Sequence, residues 1–360
     1  MSILSRYIQH PATGAFRQMI SAKRLLTCGL LLLMLTTAYI QVSAQNTYQL
    51  LTLEAQPPLK SIRGLSAVSD EVVWASGTGG MVGRSLNGGA TWEWHQVKAC
   101  DSCDWRSLYA FNDRKAVVIN AGEPAHVFLT EDGGQSWQQV YFNATAGIFF
   151  DAVTFYNEQE GIAIGDPLQQ HFTVLRTHDG GRTWQTDTPA QSPEAATGES
   201  IFAASGTSLI GRKGLTTFVT GGTVSRIHTL SGGQWSSQPL PLLQGQPSMG
   251  AFSVAFLDNR NGIVVGGDYR NDTLRQLNCL LTGNGGRTWT SPRTPPGGFK
   301  SAVTWLTPKI LVATGTSGTD ISVNGGKDWQ KIGAGFHCAT KARKGKRLFL
   351  AGKSIGYLKI

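Results

Sequence analysis

The sequence predicts an all-β fold, a single seven-bladed β-propeller, from two repeated elements and the spacing of their copies. The first element is an eight-residue phrase, present as SLNGGATW (residues 85–92), TEDGGQSW (130–137), THDGGRTW (177–184), TGNGGRTW (282–289) and SVNGGKDW (322–329), with a damaged copy, TLSGGQW, that ends at Trp235. From Trp to Trp the steps are 45, 47, 51, 54 and 40 residues. This period matches one four-stranded propeller blade and exceeds that of TPR or ankyrin units. The second element, an apolar strand followed by a turn that contains glycine, occurs seven times.

The repeated phrase has the composition of a hairpin turn. Its Ser or Thr hydroxyl and its Asp or Asn side chain can accept hydrogen bonds from backbone N–H groups, and the Gly-Gly pair can adopt the positive φ angles that other residues resist. The Trp then opens the next strand, where burial of its ring contributes on the order of 3 kcal/mol. The pattern S/T-x-D/N-G-G-x-S/T-W is the Asp-box, or BNR repeat, and the fifth full copy departs from it only at Asp328. It indicates architecture rather than activity, because sialidases, other glycosidases, sortilin-type receptors and non-catalytic assembly factors share it.

The seven apolar strands fix the number of blades and indicate how the ring closes. They begin at Val72, Ala116, Gly161, Thr217, Gly262, Ile310 and Leu348. The seventh copy, at the C-terminus, lacks an outer strand. The segment YQLLTLEA (residues 48–55) has the pattern of a strand and precedes the first inner strand, SIRGLSAV (61–68). We expect it to pair with residues 347–360, because that pairing closes the ring and removes exposed sheet edges.

Residues 1–44 have the pattern of a cleaved export signal. Three basic residues, Arg17, Lys23 and Arg24, precede an apolar run over residues 25–40, and the small residues VSA follow before Gln45. Met19 is an alternative start that gives a signal of ordinary length. The other interpretation is an uncleaved anchor, although the run is short for a span of roughly 20 residues. We therefore expect one propeller domain over residues 45–360, in the periplasm or outside the cell, with no stable membrane span after cleavage.

Charge and cysteine content give further expectations. The formal net charge of +9 falls to +5 without residues 1–44, which carry four basic and no acidic residues. The basic cluster at residues 341–347 is interpreted as a solvated hairpin tip, or as a contact for a membrane surface or an acidic partner. No nucleic-acid motif accompanies it, so we expect no nucleic-acid partner. Because a closed propeller needs no second chain to complete its core, we also expect a monomer.

Four cysteines follow the signal segment. Cys100 and Cys103 lie in a link between blades, where an oxidising compartment favours a disulfide over free thiols or a redox-active pair. Cys279 and Cys338 fall on strands of non-adjacent blades, and we expect them to be buried and unpaired.

The face opposite the Asp boxes collects the candidate binding residues. The turns between second and third strands lie there, and so do the links that lead into successive inner strands. A ring of such residues around a central channel is the usual ligand site of a propeller. The turn candidates are Asp166, Asp268 and Tyr269, and the inner-strand candidates are Arg63, Arg106, Glu199, Lys300 and His337, with Phe150 and Ala251 at the equivalent places of two further blades.

Each candidate also has a purely structural interpretation. Asp166 and Asp268 can cap their own turns. Arg63 and Arg106 can be solvated or paired with Glu199, although two arginines at equivalent blade positions favour an anion-binding site. For the remaining three candidates the alternatives are a solvated lysine (Lys300), an aromatic ring packed on its own blade (Tyr269) and a structural histidine (His337).

Three phrases connect the chain to a known family: GDP (165–167), GESIFAASGTSL (198–209) and VGGDY (265–269). Together with the strands, turns and boxes, they make residues 47–360 resemble the photosystem II stability/assembly factor-like family of seven-bladed propellers. The likeness is to the branch from non-photosynthetic bacteria that is often labelled oxidoreductase. The sequence has no dinucleotide fingerprint, flavin motif or metal cluster, so we predict no cofactor and no metal. In photosynthetic members the resemblance implies a scaffold that binds a membrane-protein precursor through an arginine-rich patch, to which Arg63, Arg106 and either Arg226 or Lys300 could correspond.

Two function classes follow. The first is an exported, non-catalytic scaffold or assembly factor that binds a protein partner. The second is a glycosidase of the sialidase-like propeller type that acts on a glycan, with face carboxylates such as Asp166, Glu199 and Asp268 in the roughly 5 to 10 Å separation that glycoside hydrolysis requires. The FRIP-like phrase of sialidases is missing from the sequence, as are HExxH, GxSxG and P-loop motifs.

Overall fold

β-Strands form almost all of the regular structure in the computed structural model, which describes residues 48–53, 57–212 and 214–359. Helix is limited, within these ranges, to two 3₁₀ turns at Lys98–Cys100 and Pro189–Gln191. No helix in this part of the chain is long and apolar enough to cross a membrane. The predicted export signal, residues 1–44, lies outside the described residues.

The strands are two to eight residues long, and several of them are buried at every position. In chain order they are β1 (Gln49–Thr52), β2 (Ile62–Ala67), β3 (Val73–Gly77), β4 (Met81–Ser85), β5 (Glu93–Gln96), β6 (Ser107–Ala110), β7 (Ala116–Ile119), β8 (Ala125–Thr130), β9 (Gln138–Asn143), β10 (Phe150–Phe155), β11 (Gly161–Leu168), β12 (His171–Thr177), β13 (Gln185–Thr186), β14 (Glu199–Ser200), β15 (Leu209–Arg212), β16 (Leu215–Val219), β17 (Gly221–Gly222), β18 (Arg226–Ser231), β19 (Gln234–Pro239), β20 (Met249–Phe256), β21 (Gly262–Asp268), β22 (Cys279–Thr282), β23 (Ala302–Trp305), β24 (Leu311–Gly315), β25 (Gly318–Ser322), β26 (Gln330–Gly333), β27 (Cys338–Lys341), β28 (Leu348–Ala351) and β29 (Ile355–Lys359).

These strands form seven antiparallel blades within the described ranges, which confirms the predicted fold class. Blades 1, 2, 3 and 6 are β2–β5, β6–β9, β10–β13 and β23–β26, and blade 4 is β15, β16, β18 and β19. Blade 5 consists of β20–β22, extended on its inner side by the short strands β17 and β14. Its outer edge is a single pair, in which Leu281 and Thr290 exchange two backbone hydrogen bonds of 2.8 and 2.9 Å.

The first strands of successive blades contact one another around a central axis. β2 contacts β6, and the series continues through β10, β15, β20, β23 and β27 back to β2. In blade 7 the strand order is β1, β29, β28, β27, and the Leu53 N–H donates to the Ile355 carbonyl at 2.8 Å. This blade therefore takes strands from both ends of the described chain.

The repeated phrase forms the turn between the third and fourth strands of a blade. At residues 130–137 the Thr130 hydroxyl accepts from the Gly134 N–H at 3.0 Å, and an Asp132 carboxylate oxygen accepts from the Ser136 N–H at 3.0 Å. Gly133 and Gly134 have φ angles of 84° and 89°. The other four full copies make the same two hydrogen bonds. The damaged copy instead forms a two-residue hairpin, in which Ser231 pairs with Gln234.

Candidate binding cavity

A cavity of about 530 Å³ lies at the ends of the inner strands, around the centre of the ring. Blade 6 shows its relation to the repeated turns. Strand β24 runs toward the cavity and ends at Gly315. The next residue, Thr316, lines the cavity, and β25 then returns to the turn at residues 322–329. Because antiparallel strands place these two connections at opposite ends of a blade, the cavity and the repeated turns lie on opposite faces.

β-Bulges place three residues of the inner strands at this end of the ring. The register of the first strand pair shifts by one residue at Arg63 in blade 1, at Asp151 in blade 3 and at Phe252 in blade 5. A bulged residue is left out of the ladder and its side chain is re-aimed, so bulges occur often beside functional sites. Arg63 and Phe252 both line the cavity.

The basic part of the cavity consists of two arginines from neighbouring blades. The Arg63 guanidinium donates to the Ala204 carbonyl at 3.2 Å, and the Arg106 Nε donates to an Asp104 carboxylate oxygen at 2.7 Å. Burial, and then the positive charge of Arg106, lower the pKa of Arg63. Among the described residues, Asp104 is the only carboxylate that forms an ion pair with Arg63 or Arg106, and its partner is Arg106. The pair can therefore bind an anionic group that arrives with a ligand.

Aromatic side chains form another part of the cavity. The rings of Phe202 and Phe252 stack with their centroids 3.8 Å apart and their planes 3° from parallel. Phe299 packs edge-on against Phe252 at 4.7 Å. Tyr269 is 45% exposed, so it presents ring surface to solvent at the rim. These rings offer an apolar contact surface in the same cavity as the arginines.

Asp166, in the wall of the cavity, and the buried Asp151 are neighbouring carboxylates. Burial raises the pKa of Asp151 well above its ordinary value, and the nearby charge of Asp166 raises it further. Asp151 is 1% exposed, and neither of its carboxylate oxygens has a hydrogen-bond partner among the described residues. Asp166 lines the cavity and accepts the Ile201 N–H at 2.8 Å, yet burial still raises the pKa of Asp166 to about 6. Asp166 was predicted from the sequence, whereas Asp151 was not, because its only signal was an acidic residue inside an apolar strand.

The raised pKa of Asp166 predicts a measurable effect on stability. In the unfolded chain this carboxyl ionises near its ordinary value of 3.8, and in the folded chain near 6. The folded state thus binds the extra proton, and the free energy of unfolding falls as the pH rises from about 4 to 6. Asp166→Asn removes this pH-dependent part of the stability, and the amide oxygen of the asparagine can still accept the Ile201 N–H. We expect the variant to gain stability relative to the wild type across that interval, as measured by urea unfolding at a series of pH values.

A matched control for this measurement is Asp113→Asn, because Asp113 is exposed on a turn. It makes the same chemical change at an exposed carboxyl and so controls for the loss of one aspartate. A stability difference between Asp166→Asn and the wild type that does not change between pH 4 and 6 would contradict the assignment.

His337 lies at the rim of the cavity, between blades 7 and 1. Its Nδ1 is 3.1 Å from the Ser61 hydroxyl and 3.2 Å from the Ile62 carbonyl. Burial and then the charge of Arg63 lower the pKa of His337 to about 4. The ring is therefore neutral at pH 7, and it can offer a ligand a hydrogen bond but no positive charge.

The structure does not bring the other three candidates to the cavity wall. The Glu199 side chain is fully buried and contacts Arg226 and His228. Asp268 is 6% exposed and accepts the Arg270 N–H at 2.9 Å, which caps its own turn. Lys300 is fully buried, with its Nζ 2.6 Å from Asp320. All three side chains hold the scaffold together, and five of the eight predicted residues (Arg63, Arg106, Asp166, Tyr269 and His337) meet at the cavity.

A one-residue error in register explains part of this difference. The residues that line the cavity are Phe252 rather than Ala251 and Ser301 rather than Lys300, and Asp151 rather than Phe150 occupies the bulge. Because side chains alternate between the two faces of a strand, a shift by one residue exchanges an inward side chain for an outward one.

Cys100 and Cys103 form a disulfide in the link between blades 1 and 2. Cys279 and Cys338 are buried and free, in blades 5 and 7. Burial raises the pKa of Cys338 to about 12, and it also raises that of Cys279. Neither buried thiol has the ionised form that reactive cysteines need.

A second cavity, of about 580 Å³, lies between blades 3 and 4 beside the damaged turn. The Gly232–Gly233 hairpin lines one side, and the space around both glycines is open. Its arginine, Arg176, is already paired with Asp187 at 2.9 Å. We interpret this cavity as a consequence of the shortened turn, and the central cavity, where charge remains available, as the candidate site.

Comparison with solved structures agrees with this architecture. No protein-family model and no curated protein matches the chain. The structure titled "YCF48 bound to D1 peptide" superposes with a TM-score of 0.62 at 18% identity, over 88% of this chain and 97% of that one. YCF48 from Cyanidioschyzon merolae gives a TM-score of 0.59 at 16% identity, over 86% and 98% of the two chains. A streptogramin B lyase gives 0.59 at 13% identity, over 86% and 97%. At these identities the likeness shows the fold, and that fold is shared by proteins of different function.

Proposed function

We propose that this chain is an exported, non-catalytic scaffold that binds a segment of a protein partner in the central cavity. The observation that supports this most strongly is the pairing of Arg63 and Arg106 with the stacked rings of Phe202 and Phe252 in one cavity. A peptide segment can present both complementary groups, a carboxylate to the arginines and an apolar side chain to the rings. Export is proposed on the pattern of residues 1–44.

The structural neighbours support a protein as the ligand. One of the two YCF48 structures is titled as bound to a D1 peptide, and the sequence phrases described above resemble the family of photosystem II assembly factors. We carry over the class of ligand, a protein segment, and not the identity of that partner. Arg226 is paired with the buried Glu199, so the basic patch of this chain consists of Arg63 and Arg106.

The glycosidase alternative has less support at this site. Glycoside hydrolysis needs two carboxylates that reach the substrate. Of the three predicted carboxylates, Asp166 alone lines the cavity, while Glu199 and Asp268 are engaged in their own contacts. Asp151, its neighbour, is 1% exposed and cannot contact a glycan.

The proposal predicts a specific loss of binding in the double variant Arg63→Ala/Arg106→Ala. Each charge-assisted hydrogen bond contributes about 1.5 to 3 kcal/mol, so removing both cations should weaken binding on the order of 100-fold or more. The measurement is affinity capture from the envelope of the source organism, followed by titration of the captured partner. The matched control is Arg114→Ala/Arg287→Ala, which makes the same charge change at exposed positions near the repeated turns.

A partner retained by the wild type and the control, but lost by Arg63→Ala/Arg106→Ala, supports the proposal. A partner retained equally by all three would place its binding elsewhere. If no protein is retained and the wild type cleaves glycans on an array, the scaffold proposal fails and Asp166 becomes the first carboxylate to replace.

A further inference from the structure

Three side chains that commonly bind metals meet beside the link between blades 1 and 2. The sulfur atoms of Cys100 and Cys103 and one ring nitrogen of His126 all lie within 4.8 Å of one another. Cys100 is the last residue of the 3₁₀ turn Lys98–Cys100, Cys103 follows three residues later, and His126 belongs to β8 in blade 2. The fold therefore assembles a Cys-x-x-Cys-plus-His cluster that the linear sequence does not display.

The backbone holds the two cysteines in place independently of their disulfide. The Cys100 N–H donates to the Val97 carbonyl at 2.8 Å, and the Cys103 N–H donates to the Cys100 carbonyl at 3.2 Å. The Gly80 N–H in turn donates to the Cys103 carbonyl at 2.7 Å. Because none of these bonds involves sulfur, they do not depend on the disulfide, and the backbone keeps the two cysteines next to each other when it is reduced.

His126 is fixed from two sides. Its backbone N–H donates to the Asn120 Oδ1 at 2.6 Å, and its Nδ1 lies 3.1 Å from the Gln139 Oε1. An amide oxygen only accepts, so Nδ1 carries the proton and Nε2 keeps its lone pair. Such a hydrogen bond is the usual way in which a neighbouring residue orients a metal-binding imidazole.

The surroundings of the cluster are apolar. Cys103, Val97, Trp105 and Phe128 belong to one buried cluster, in which Trp105 and Phe128 pack edge to face at 5.5 Å. Cys103 and His126 are 6% and 9% exposed. Two thiolates and a neutral imidazole in such a setting suit a soft or borderline cation with a filled d shell rather than Mg²⁺ or Ca²⁺.

We propose that the reduced chain binds one Zn²⁺ or Cu⁺ ion through Cys100, Cys103 and His126, and that the disulfide and the metal complex are alternative states of this one site. Three protein ligands leave a further coordination position open to water or to a partner's side chain. The proposal does not depend on the function of the central cavity.

Reduction of the disulfide and binding of the metal are two separate steps. A dithiol reductant supplies two electrons and two protons to the Cys100–Cys103 disulfide, the S–S bond breaks, and the reductant becomes a disulfide. The cation then displaces the two thiol protons, which pass to solvent, and the neutral imidazole adds its lone pair. The charge state of the metal does not change.

The test is metal binding by the full chain in both redox states. The chain is reduced with dithiothreitol, freed of it under nitrogen, and titrated with Zn²⁺ against a chromophoric chelator, and separately with Cu⁺ against bicinchoninate. We expect one ion per reduced chain in at least one titration, and no competition with the chelator by the oxidised chain. The oxidised chain still carries the free thiols of Cys279 and Cys338, so it controls for binding there.

Variants separate the proposed ligands from other thiols. Cys100→Ser/Cys103→Ser should abolish binding, and His126→Gln should weaken it at least tenfold. The matched control His178→Gln, whose side chain is 69% exposed in blade 3, should bind like the wild type. Circular dichroism of each variant establishes that it is folded. Any one of three results would overturn the proposal. The reduced wild type binds no ion, the oxidised form binds equally well, or a folded His126→Gln variant keeps its affinity unchanged.

Discussion

Glu199→Gln is expected to lower the free energy of unfolding by roughly 3 to 5 kcal/mol, the usual cost of breaking a buried ion pair from one side. The carboxylate accepts from the Thr220 hydroxyl at 2.5 Å, from the Ala196 N–H at 2.8 Å and from the Arg226 Nε at 2.9 Å. Removal of its charge leaves the Arg226 guanidinium without a counter-charge in a largely buried site.

The histidine of this cluster, His228, is held by the same carboxylate. His228 has a fully buried side chain, its ring stacks on Phe218 at 4.5 Å, and burial lowers the pKa of His228. Since the Glu199 carboxylate only accepts, the His228 Nε2–H donates to it at 2.9 Å, and Nδ1 then accepts from the Ser237 hydroxyl at 2.7 Å. A glutamine amide can reproduce some of these contacts but not the charge that holds Arg226.

The same cluster predicts a dependence on pH. Burial opposes ionisation of Glu199, but hydrogen bonds from His228, Arg226 and Thr220 outweigh it and lower the pKa of Glu199 to about 2, from an ordinary 4.5. The contribution of this carboxylate to the free energy of unfolding is thus fully present above about pH 4.5, and it is lost as the pH falls toward 2. Guanidinium unfolding at pH 7 and at pH 3 measures it, with Glu194→Gln, an exposed side chain nearby, as the control. If Glu199→Gln unfolds at the same guanidinium concentration as the wild type, the cluster contributes little to the stability of the fold.

Lys300→Met is expected to destabilise the fold by a similar amount, about 3 to 5 kcal/mol. The Lys300 Nζ donates to the Ser317 hydroxyl and to the Gly318 carbonyl, both at 2.8 Å, and it lies 2.6 Å from Asp320. Asp320 is 2% exposed, so the methionine variant leaves a buried carboxylate without its cation. Thermal and chemical unfolding of the variant should both show the loss.

A second substitution separates the lost ion pair from lost packing. Lys300→Met/Asp320→Asn removes the unpaired charge and should recover part of the stability, whereas the control Lys309→Met, on an exposed turn, should unfold like the wild type. If the double variant is as unstable as the sum of its two single variants, the two side chains do not interact and the ion pair carries no stability.

The fold was predictable because the repeated turn has strict requirements. A Ser or Thr hydroxyl, an Asp or Asn, and two glycines with positive φ are needed together, and they recur at the period of one blade. Apolar strands such as Ala116–Ile119 in blade 2 and Leu348–Ala351 in blade 7 are buried at every position, so their pattern is also clear in the sequence.

The site was predictable only in part, because its positions depend on register. A bulge at Arg63 or at Phe252 shifts the ladder by one residue, and no local pattern announces it. The partners of a buried charge are equally hidden. Glu199 and Lys300 were predicted to bind a ligand, but each forms an ion pair within the fold, Glu199 with Arg226 and Lys300 with Asp320. Asp151 and His126 were missed because their neighbours come from other strands.

The most direct test of the proposed scaffold is site-specific photo-crosslinking in the envelope of the source organism. A photoreactive phenylalanine replaces Tyr269, which is 45% exposed at the cavity, or Val323, which is 47% exposed in a repeated turn on the opposite face. We predict a covalent adduct with a protein partner from position 269 and none from position 323. An adduct from position 323 alone, or from neither position, would contradict a partner bound in the central cavity.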